Sequence, residues 1–288
     1  MTEPLGRAFG WIVAAYLAAL AVAVPCVLWA QSAGYPPMWA AAIADVAATV
    51  VIYAFGLVFR NASVYDAYWS VIPPVLAAFL LWTAGGIDLR GAIAWLILMY
   101  WAIRLTANWA RGWEGLTHED WRYIDLRAQT GIFYQAVNFL GIHLFPTILV
   151  FAGCLPFMAM GASDAPMGFI DAVATLVGVG AVSLEWKADE ELRAFRRTTS
   201  GRGKVLDSGV WRWCRHPNYC GEIGFWLSMA LFGFAASGEL WVFAGFVLMV
   251  LLFVGISIPM IEKRQAAAKP AYVDYQRSTA MLLPHFWK

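Results

Sequence analysis

Charge is what this sequence has least of: Asp, Glu, Lys and Arg make up 14% of its 288 residues, where a soluble domain carries roughly 25%. Hydrophobic residues account for 61%. A surface so poor in charge needs lipid as its solvent, which excludes an ordinary water-soluble enzyme. Other absences narrow the chemistry. There is no Gly-x-Gly-x-x-Gly turn and no Walker loop, so neither usual phosphate cradle is present. His118, His143, His216 and His285 are scattered, and no metal site is expected. The four cysteines (Cys26, Cys154, Cys214, Cys220) lack metal-ligand spacing; they read as buried thiols, not as a disulfide framework. The N-terminus has no signal-peptide cleavage pattern, and its first apolar stretch is too long for an h-region. Nucleic acid is not expected as a partner, and no obligate protein partner is evident.

Long apolar runs are abundant. A helix crosses the hydrocarbon core in about 20 residues, and eight stretches qualify: about 8–30, 38–59, 68–84, 91–109, 131–153, 166–186, 219–237 and 239–260. Tyr35-Pro36-Pro37, Gly85-Gly86, the stretch from Pro156 to Pro166, and Ser237-Gly238 punctuate them. The third is the weakest, because Pro73 and Pro74 restrict its first turn, and seven spans are the competing count. The expected fold is an all-α integral membrane protein, a bundle of seven to eight transmembrane helices with a cytoplasm-facing cofactor pocket. Sixteen Trp residues suit two interfacial belts.

Charge gives an independent check on the count. With eight spans, every Lys and Arg except Arg90 falls on one side. The positive-inside rule makes that side, and both termini, cytoplasmic, in a bacterial inner membrane. No internal repeat is visible, so residues 1–288 read as one domain. Within it, 1–60 form N-terminal helices, 61–130 carry substrate-side segments, and 185–288 form a cofactor-binding region.

Three clusters on the basic side are too polar to be connectors alone. The first runs from Arg60 to Ser70 and contains Asp66 among tyrosines. That carboxylate can polarise a bound carbonyl or move a proton; equally, it can cap the third helix. In the second, Tyr100 and Trp101 precede Arg104, Asn108 and Arg111, whose i, i+4, i+7 spacing puts them on one helical face. A snorkelling arginine at a membrane boundary would explain one of these, though less well the whole stripe. In the third, Asp189, Arg193 and Arg196 repeat the same spacing on an amphipathic helix. A basic loop through Lys204 follows, and then Arg215-His216-Pro217-Asn218-Tyr219-Cys220-Gly221-Glu222. Anionic lipid would attract such a helix. Carboxylates among arginines suit an anionic cofactor better, since arginines take phosphates while Asp, Glu and Asn take ribose hydroxyls or a carboxamide. His143 reads as a satisfied core residue or as an intramembrane functional group.

The segment from Arg215 to Glu222, followed by two apolar helices, resembles the C-terminal domain of the steroid 5-alpha-reductase family, whose relatives include sterol C14- and C7-reductases. Further likenesses are Asp66-x-x-Trp69, the stripe from Arg104 to Trp113, Glu119-Asp120-Trp121-Arg122-Tyr123, and Tyr272-x-x-Tyr275-Gln276 running to Leu283-Pro284. The resemblance is close over about 185–288, looser over 60–130, and absent from the first helices. It implies NADPH in a cytoplasm-facing pocket and reduction of an activated carbon–carbon double bond in a hydrophobic substrate that enters from the lipid.

By that likeness Asn218, Tyr219 and Glu222 stand at the nicotinamide end, and Asp189, Arg193 and Arg196 at the adenine-side ribose and phosphates. Lys204, Arg264 and Tyr275 also count on the cofactor side, as do Arg104, Asn108 and Arg111. Asp66 resembles the carboxylate that contacts the substrate carbonyl, with Tyr100 as its partner. The Gln-Glu pair of steroid reductases has no counterpart around Asp66, and Trp101 stands where their tyrosine falls.

The leading expectation is therefore NADPH-dependent reduction of an enone in a membrane-soluble substrate, a 3-oxo-Δ4-steroid or related lipid among the candidates. An S-adenosylmethionine-dependent membrane methyltransferase of the isoprenylcysteine or phospholipid type is the alternative. That family carries a similar Arg-His-Pro-x-Tyr-x-Gly segment, and Glu262-Lys263-Arg264 resembles its C-terminal end, but it leaves the 60–130 clusters unexplained. A third reading is a lipid-binding or transport protein that holds no cofactor.

Overall fold

A computed structural model describes residues 4–198 and 203–283. Arg202 of the basic loop and Pro284 of the tail lie outside them. The described residues form helices joined by turns and loops, with no strand among them, and eight helical stretches are long and apolar enough to cross a membrane. Lipid-facing surface is recognisable from large apolar side chains left outside, Leu17, Val58, Trp82, Leu96, Leu176 and Leu251 among them; water would penalise so many. The eight-helix count holds against seven.

The contacts divide the chain into two compact units, Met1–Ser163 and Asp164–Lys288, where the sequence suggests one domain. The first contains α1 (Leu5–Ser32), α2 (Pro37–Phe59), α3 (Tyr68–Ala84) and α4 (Leu89–Gly112). Pro37 starts α2 at its first position, where a missing N–H costs nothing. Asp88 caps α4 by accepting from the Gly91 amide at 2.7 Å. Pro73 and Pro74 lie inside α3 and do not end it.

The helical run from Trp121 to Gly161 is 41 residues long. At 1.5 Å per residue that is about twice the thickness of the hydrocarbon core. Gly131, at φ 52°, divides it: α5 (Trp121–Thr130) is polar and interfacial, and the crossing begins after it. A short 3₁₀ turn leads into α6 (Tyr134–Val137), a π-helical stretch over Asn138–Leu144, then α7 (Phe145–Cys154) and α8 (Pro156–Gly161). Pro146 follows the π stretch. Without an N–H it leaves the Ile142 carbonyl without its usual donor, and a wider turn accommodates that. Pro259 follows a second π stretch at Phe253–Ser257 in the same way.

The second unit contains α9 (Phe169–Arg197), α10 (Pro217–Ser237), α11 (Ala244–Leu252), α12 (Ile258–Ala268) and α13 (Ala271–Ser278). The sequence suggests a span ending near 186 and a separate amphipathic helix. Instead α9 is continuous for 29 residues, about 44 Å at helical rise, so its last turns carry Asp189, Arg193 and Arg196 rigidly out of the apolar zone. Helices α9 and α10 pack antiparallel: Ser228 Oγ donates to the Ala174 carbonyl at 2.7 Å, while Gly221 lies against Ala181 and Glu185.

A Cβ on Gly221 would sit 2.6 Å from the Ala181 carbonyl oxygen and 2.8 Å from Glu185 Cβ. Gly221→Ala should therefore separate the two helices and cost on the order of 1–3 kcal/mol, lowering the thermal midpoint in detergent. Gly180, whose added Cβ meets nothing within 4 Å, provides the control: Gly180→Ala should be neutral or slightly stabilising. Equal effects at the two positions would refute the close crossing.

Candidate functional site

In the first unit the polar site is assembled by a stitch between two segments distant in sequence. Helix α2 ends at Arg60 in the left-handed conformation, φ 52°, which turns the chain sharply into Asn61. The Asn61 side chain then uses both of its ends. Its Oδ1 accepts from the Ser63 amide at 2.8 Å, and its Nδ2 donates to the carbonyls of Leu116 at 2.7 Å and His118 at 2.9 Å. Two further bonds tighten the seam: the Ala62 amide donates to Glu119 Oε1, and the Asp120 amide to Ser63 Oγ, both at 2.9 Å. Asp120 caps α5 and chelates Arg122 through Nε at 2.8 Å and Nη2 at 3.1 Å. Burial works to raise the Asp120 carboxyl's pKa, but the bonds from Arg122 outweigh it and hold it below the usual range.

The product of this seam is a carboxylate–phenol pair. Tyr123 Oη donates to Asp66 Oδ1 at 2.7 Å. The helix-cap reading of Asp66 is thereby corrected: the residue preceding α3 is Ala67, and no side chain caps that helix. Asp66 is half-buried and its carboxylate faces the seam.

Tyr100, expected as the partner, is half-buried on α4, and the phenol seen on Asp66 is that of Tyr123. In the sequence Tyr123 stands only within the Glu119-Asp120-Trp121-Arg122-Tyr123 likeness, with nothing there to mark it as the partner of Asp66. Arg104, Asn108 and Arg111 do share a face of α4, grading from buried through half-buried to exposed.

Deeper in the same unit lies a polar belt that sequence reading missed. Asp45 and Thr49, one turn apart on α2, are buried. Tyr68 Oη donates to Asp45 Oδ1 at 3.4 Å. Thr147 Oγ1 gives its proton to the His143 carbonyl at 2.8 Å, so the hydroxyls of Tyr65 and Thr49, each 2.9 Å away, both donate to it. His143 Nδ1 donates to the Asn138 carbonyl at 3.1 Å, a contact that requires the Nδ1–H tautomer. Its Nε2, like Asp45 Oδ2 and Asn138 Oδ1, has no hydrogen-bond partner among the described residues. His143 is thus only half satisfied. The available signal was Asp45 itself, an acid in the middle of an apolar run, which in a membrane helix points to function by default.

In the second unit the predicted residues part into two groups. Arg215 and His216 converge on Glu262 Oε1, at 2.7 Å and 2.9 Å, and Gln276 Nε2 donates to Glu262 Oε2 at 2.9 Å. Arg215 Nη1 also donates to the carbonyls of Gln276 and Thr279. Tyr275, expected at the cofactor, is buried with its hydroxyl on the Trp211 carbonyl. It braces the loop before α10. The Arg-His half of the motif therefore locks the C-terminal helices in place, which serves either enzyme class equally.

The second group remains near the α9–α10 crossing. Antiparallel register carries Asp189, one turn beyond Glu185, toward the start of α10, where Asn218, Tyr219 and Glu222 lie within just over one turn. Glu222 is buried and accepts from Trp226 Nε1 at 2.8 Å. Arg193 is half-buried, while Lys204 and Arg264 are exposed. Burial, and then the nearby Arg196 guanidinium, hold Lys269 below the usual lysine range. Two cations that disfavour each other in this way would gain from a shared anion, and the donor set fits a phosphate-bearing dinucleotide.

Fold and sites together define a multi-pass, all-helical membrane protein with polar clusters at the ends of its spans. A family model described as "Protein of unknown function (DUF1295)" matches residues 52–279. The chain belongs to that family, a membrane family related to the steroid 5-alpha-reductases. It is also similar to an uncharacterised protein of Schizosaccharomyces pombe, at 26% identity over 253 residues, covering 78% of this chain and 73% of the relative. No solved structure matches it.

The lock around Glu262 yields a pH dependence. Burial pulls the His216 imidazole below its usual range, against the opposing pull of Glu262, so the folded state favours neutral His216. Its contribution is full above the unfolded value near 6.5 and declines as pH falls through it, because the unfolded chain takes the proton more readily. His216→Gln keeps an N–H for Glu262 and removes the titration. Between pH 7 and 5 the thermal midpoint of the variant should fall less than that of the wild type; parallel declines would discount His216.

Proposed function

We propose that this protein is an NADPH-dependent oxidoreductase acting on a CH–CH group. It reduces an activated (enone) carbon–carbon double bond in a hydrophobic substrate drawn from the membrane, with a 3-oxo-Δ4-steroid or related lipid as candidate. The observation that carries this reading is the Asp66–Tyr123 pair: a carboxylate not spent on capping, held at 2.7 Å by a phenol at the boundary of a span. The resemblance to steroid 5-alpha-reductases and membership of a related family support it. Both termini belong to the cytoplasm in this reading, because the basic residues gather on their side.

The dinucleotide, when bound, supplies a hydride. As the β-carbon of the enone gains it, the electron pair of the double bond moves toward the carbonyl oxygen. Protonated Asp66 donates to that oxygen from Oδ2 while Tyr123 Oη holds Oδ1, which fixes the carboxyl and stabilises the developing enolate; a proton taken up from water at the α-carbon then restores the carbonyl and completes the saturated product. Tyr100 is the phenol that the family likeness assigns to the same oxygen. Arg193, Arg196 and Lys269 would hold its phosphates, and the two on α9 are pre-aligned by its rigid extension. NADPH is favoured over NADH because these cations welcome the extra phosphate.

The test is turnover of a panel of enones, a steroid enone and smaller ones, by purified protein with NADPH. Asp66→Asn should lower turnover by about two orders of magnitude, roughly 2.7 kcal/mol of barrier, with NADPH binding and thermal stability little changed. Tyr123→Phe and Tyr100→Phe separate the two phenols: the one that serves the carbonyl should match Asp66→Asn. Arg196→Ala and added salt should weaken NADPH. Near wild-type turnover by Asp66→Asn would overturn the catalytic assignment. Tight S-adenosylmethionine binding without affinity for NADPH would favour the methyltransferase.

A further inference from the structure

Beside the seam, where α2 ends, lies a cavity of about 360 Å³ lined by Gly56, Arg60, Arg127, Tyr134, Gln135 and Asn138, among others. Three features identify its ligand, and none depends on the reductase reading.

The first is charge. Arg60 and Arg127 are both exposed at the lining, and Arg127 Nη2 already donates to Glu119 Oε1 at 2.9 Å. One cation in two is thus neutralised, leaving a net single positive charge. That suits a monoanionic phosphodiester. Arg127 is also pre-aligned, its guanidinium lying 4.6 Å from the centre of the Tyr134 ring. Arg60 is held in the left-handed region, a conformation that favours Gly or Asn, so this arginine is kept there at some conformational cost.

The second is a buried acceptor. Asn138 is 4% exposed, lines the cavity, and its Oδ1 has no partner among the described residues. Its Nδ2 is 3.4 Å from Gln135 Oε1. A buried amide oxygen left unsatisfied is unfavourable, and a ligand hydroxyl donating to it would recover the lost hydrogen bond.

The third is the surrounding surface. Leu57, Val58, Ile132, Phe133 and Leu140 all stand exposed near these lining residues in sequence, Ile132 at 92%. A soluble ligand has no use for that surface, whereas acyl chains do.

We propose that this cavity binds the headgroup of an anionic phospholipid: a phosphodiester near Arg60 and Arg127 whose hydroxylated headgroup donates to Asn138 Oδ1, with the acyl chains along the apolar rim. A soluble polyol phosphate also offers phosphate oxygens and hydroxyls, but without the chains.

The experiment uses the full chain in detergent, with thermal midpoint and native mass spectrometry as readouts. The probes are phosphatidylglycerol, phosphatidic acid, phosphatidylcholine and glycerol 3-phosphate. Phosphatidylglycerol should be retained and should raise the midpoint, phosphatidylcholine should bind at least about tenfold more weakly, and glycerol 3-phosphate weakly or not at all. Arg60→Asn, which suits the left-handed backbone, should lose about tenfold in phosphatidylglycerol affinity. Asn138→Leu should lose the preference for a hydroxylated headgroup over phosphatidic acid. Arg277→Gln, at an exposed site on α13, should change nothing. Equal binding of phosphatidylcholine, or unaltered binding by both Arg60→Asn and Asn138→Leu, would overturn the proposal; glycerol 3-phosphate binding as tightly as the lipid would overturn the lipid source.

Discussion

A polar group buried away from water depends on partners inside the protein. In the first unit Asn61 answers that constraint for a whole junction, with three hydrogen bonds that tie the turn after α2 to the segment before α5. The bonds from Ala62 to Glu119 and from Asp120 to Ser63 follow from that registration. So does the meeting of Tyr123 with Asp66. Without the seam, Asp66 would be one more acid near a helix start. With it, the carboxyl has a fixed direction and a fixed phenol.

The second unit meets the same constraint differently. Glu262 collects Arg215, His216 and Gln276, so one carboxylate from α12 organises the loop before α10 and the final helix. Part of the motif that resembles reductases and methyltransferases alike is therefore used for folding. The features that separate the two classes lie in the first unit, in residues 61–66 and 119–123. The basic end of α9 is compatible with either class, though the number of its cations suits a polyanionic dinucleotide better.

The spans were legible in the sequence because eight apolar runs are separated by Pro and Gly signals, and because charge partitions around them. Their ends were less legible. Polar residues such as Asp189 and Arg193 suggest that a span has stopped, whereas helix propensity carries α9 on through Arg197. Asp66 was visible as a polar residue at a boundary, but its cap and site readings differ only by a contact 57 residues away. No periodicity encodes such a contact. Tyr275 shows the converse: an aromatic in a cofactor-associated tail is used to hold two backbone carbonyls. The Asp45 belt was legible in part, since an acid inside an apolar run is a sequence-level signal. Its partners Tyr68, Thr147 and His143 come from other helices and depend on packing.

The account's central claim is a bound dinucleotide. The most direct measurement is mass spectrometry of small molecules released by denaturation from protein purified in mild detergent without added cofactor. The account predicts NADP(H) in near-stoichiometric amount, reduced to trace levels in an Arg193→Ala/Arg196→Ala variant that remains folded. Recovery of S-adenosylmethionine or its demethylated product instead, with no dinucleotide, would contradict it.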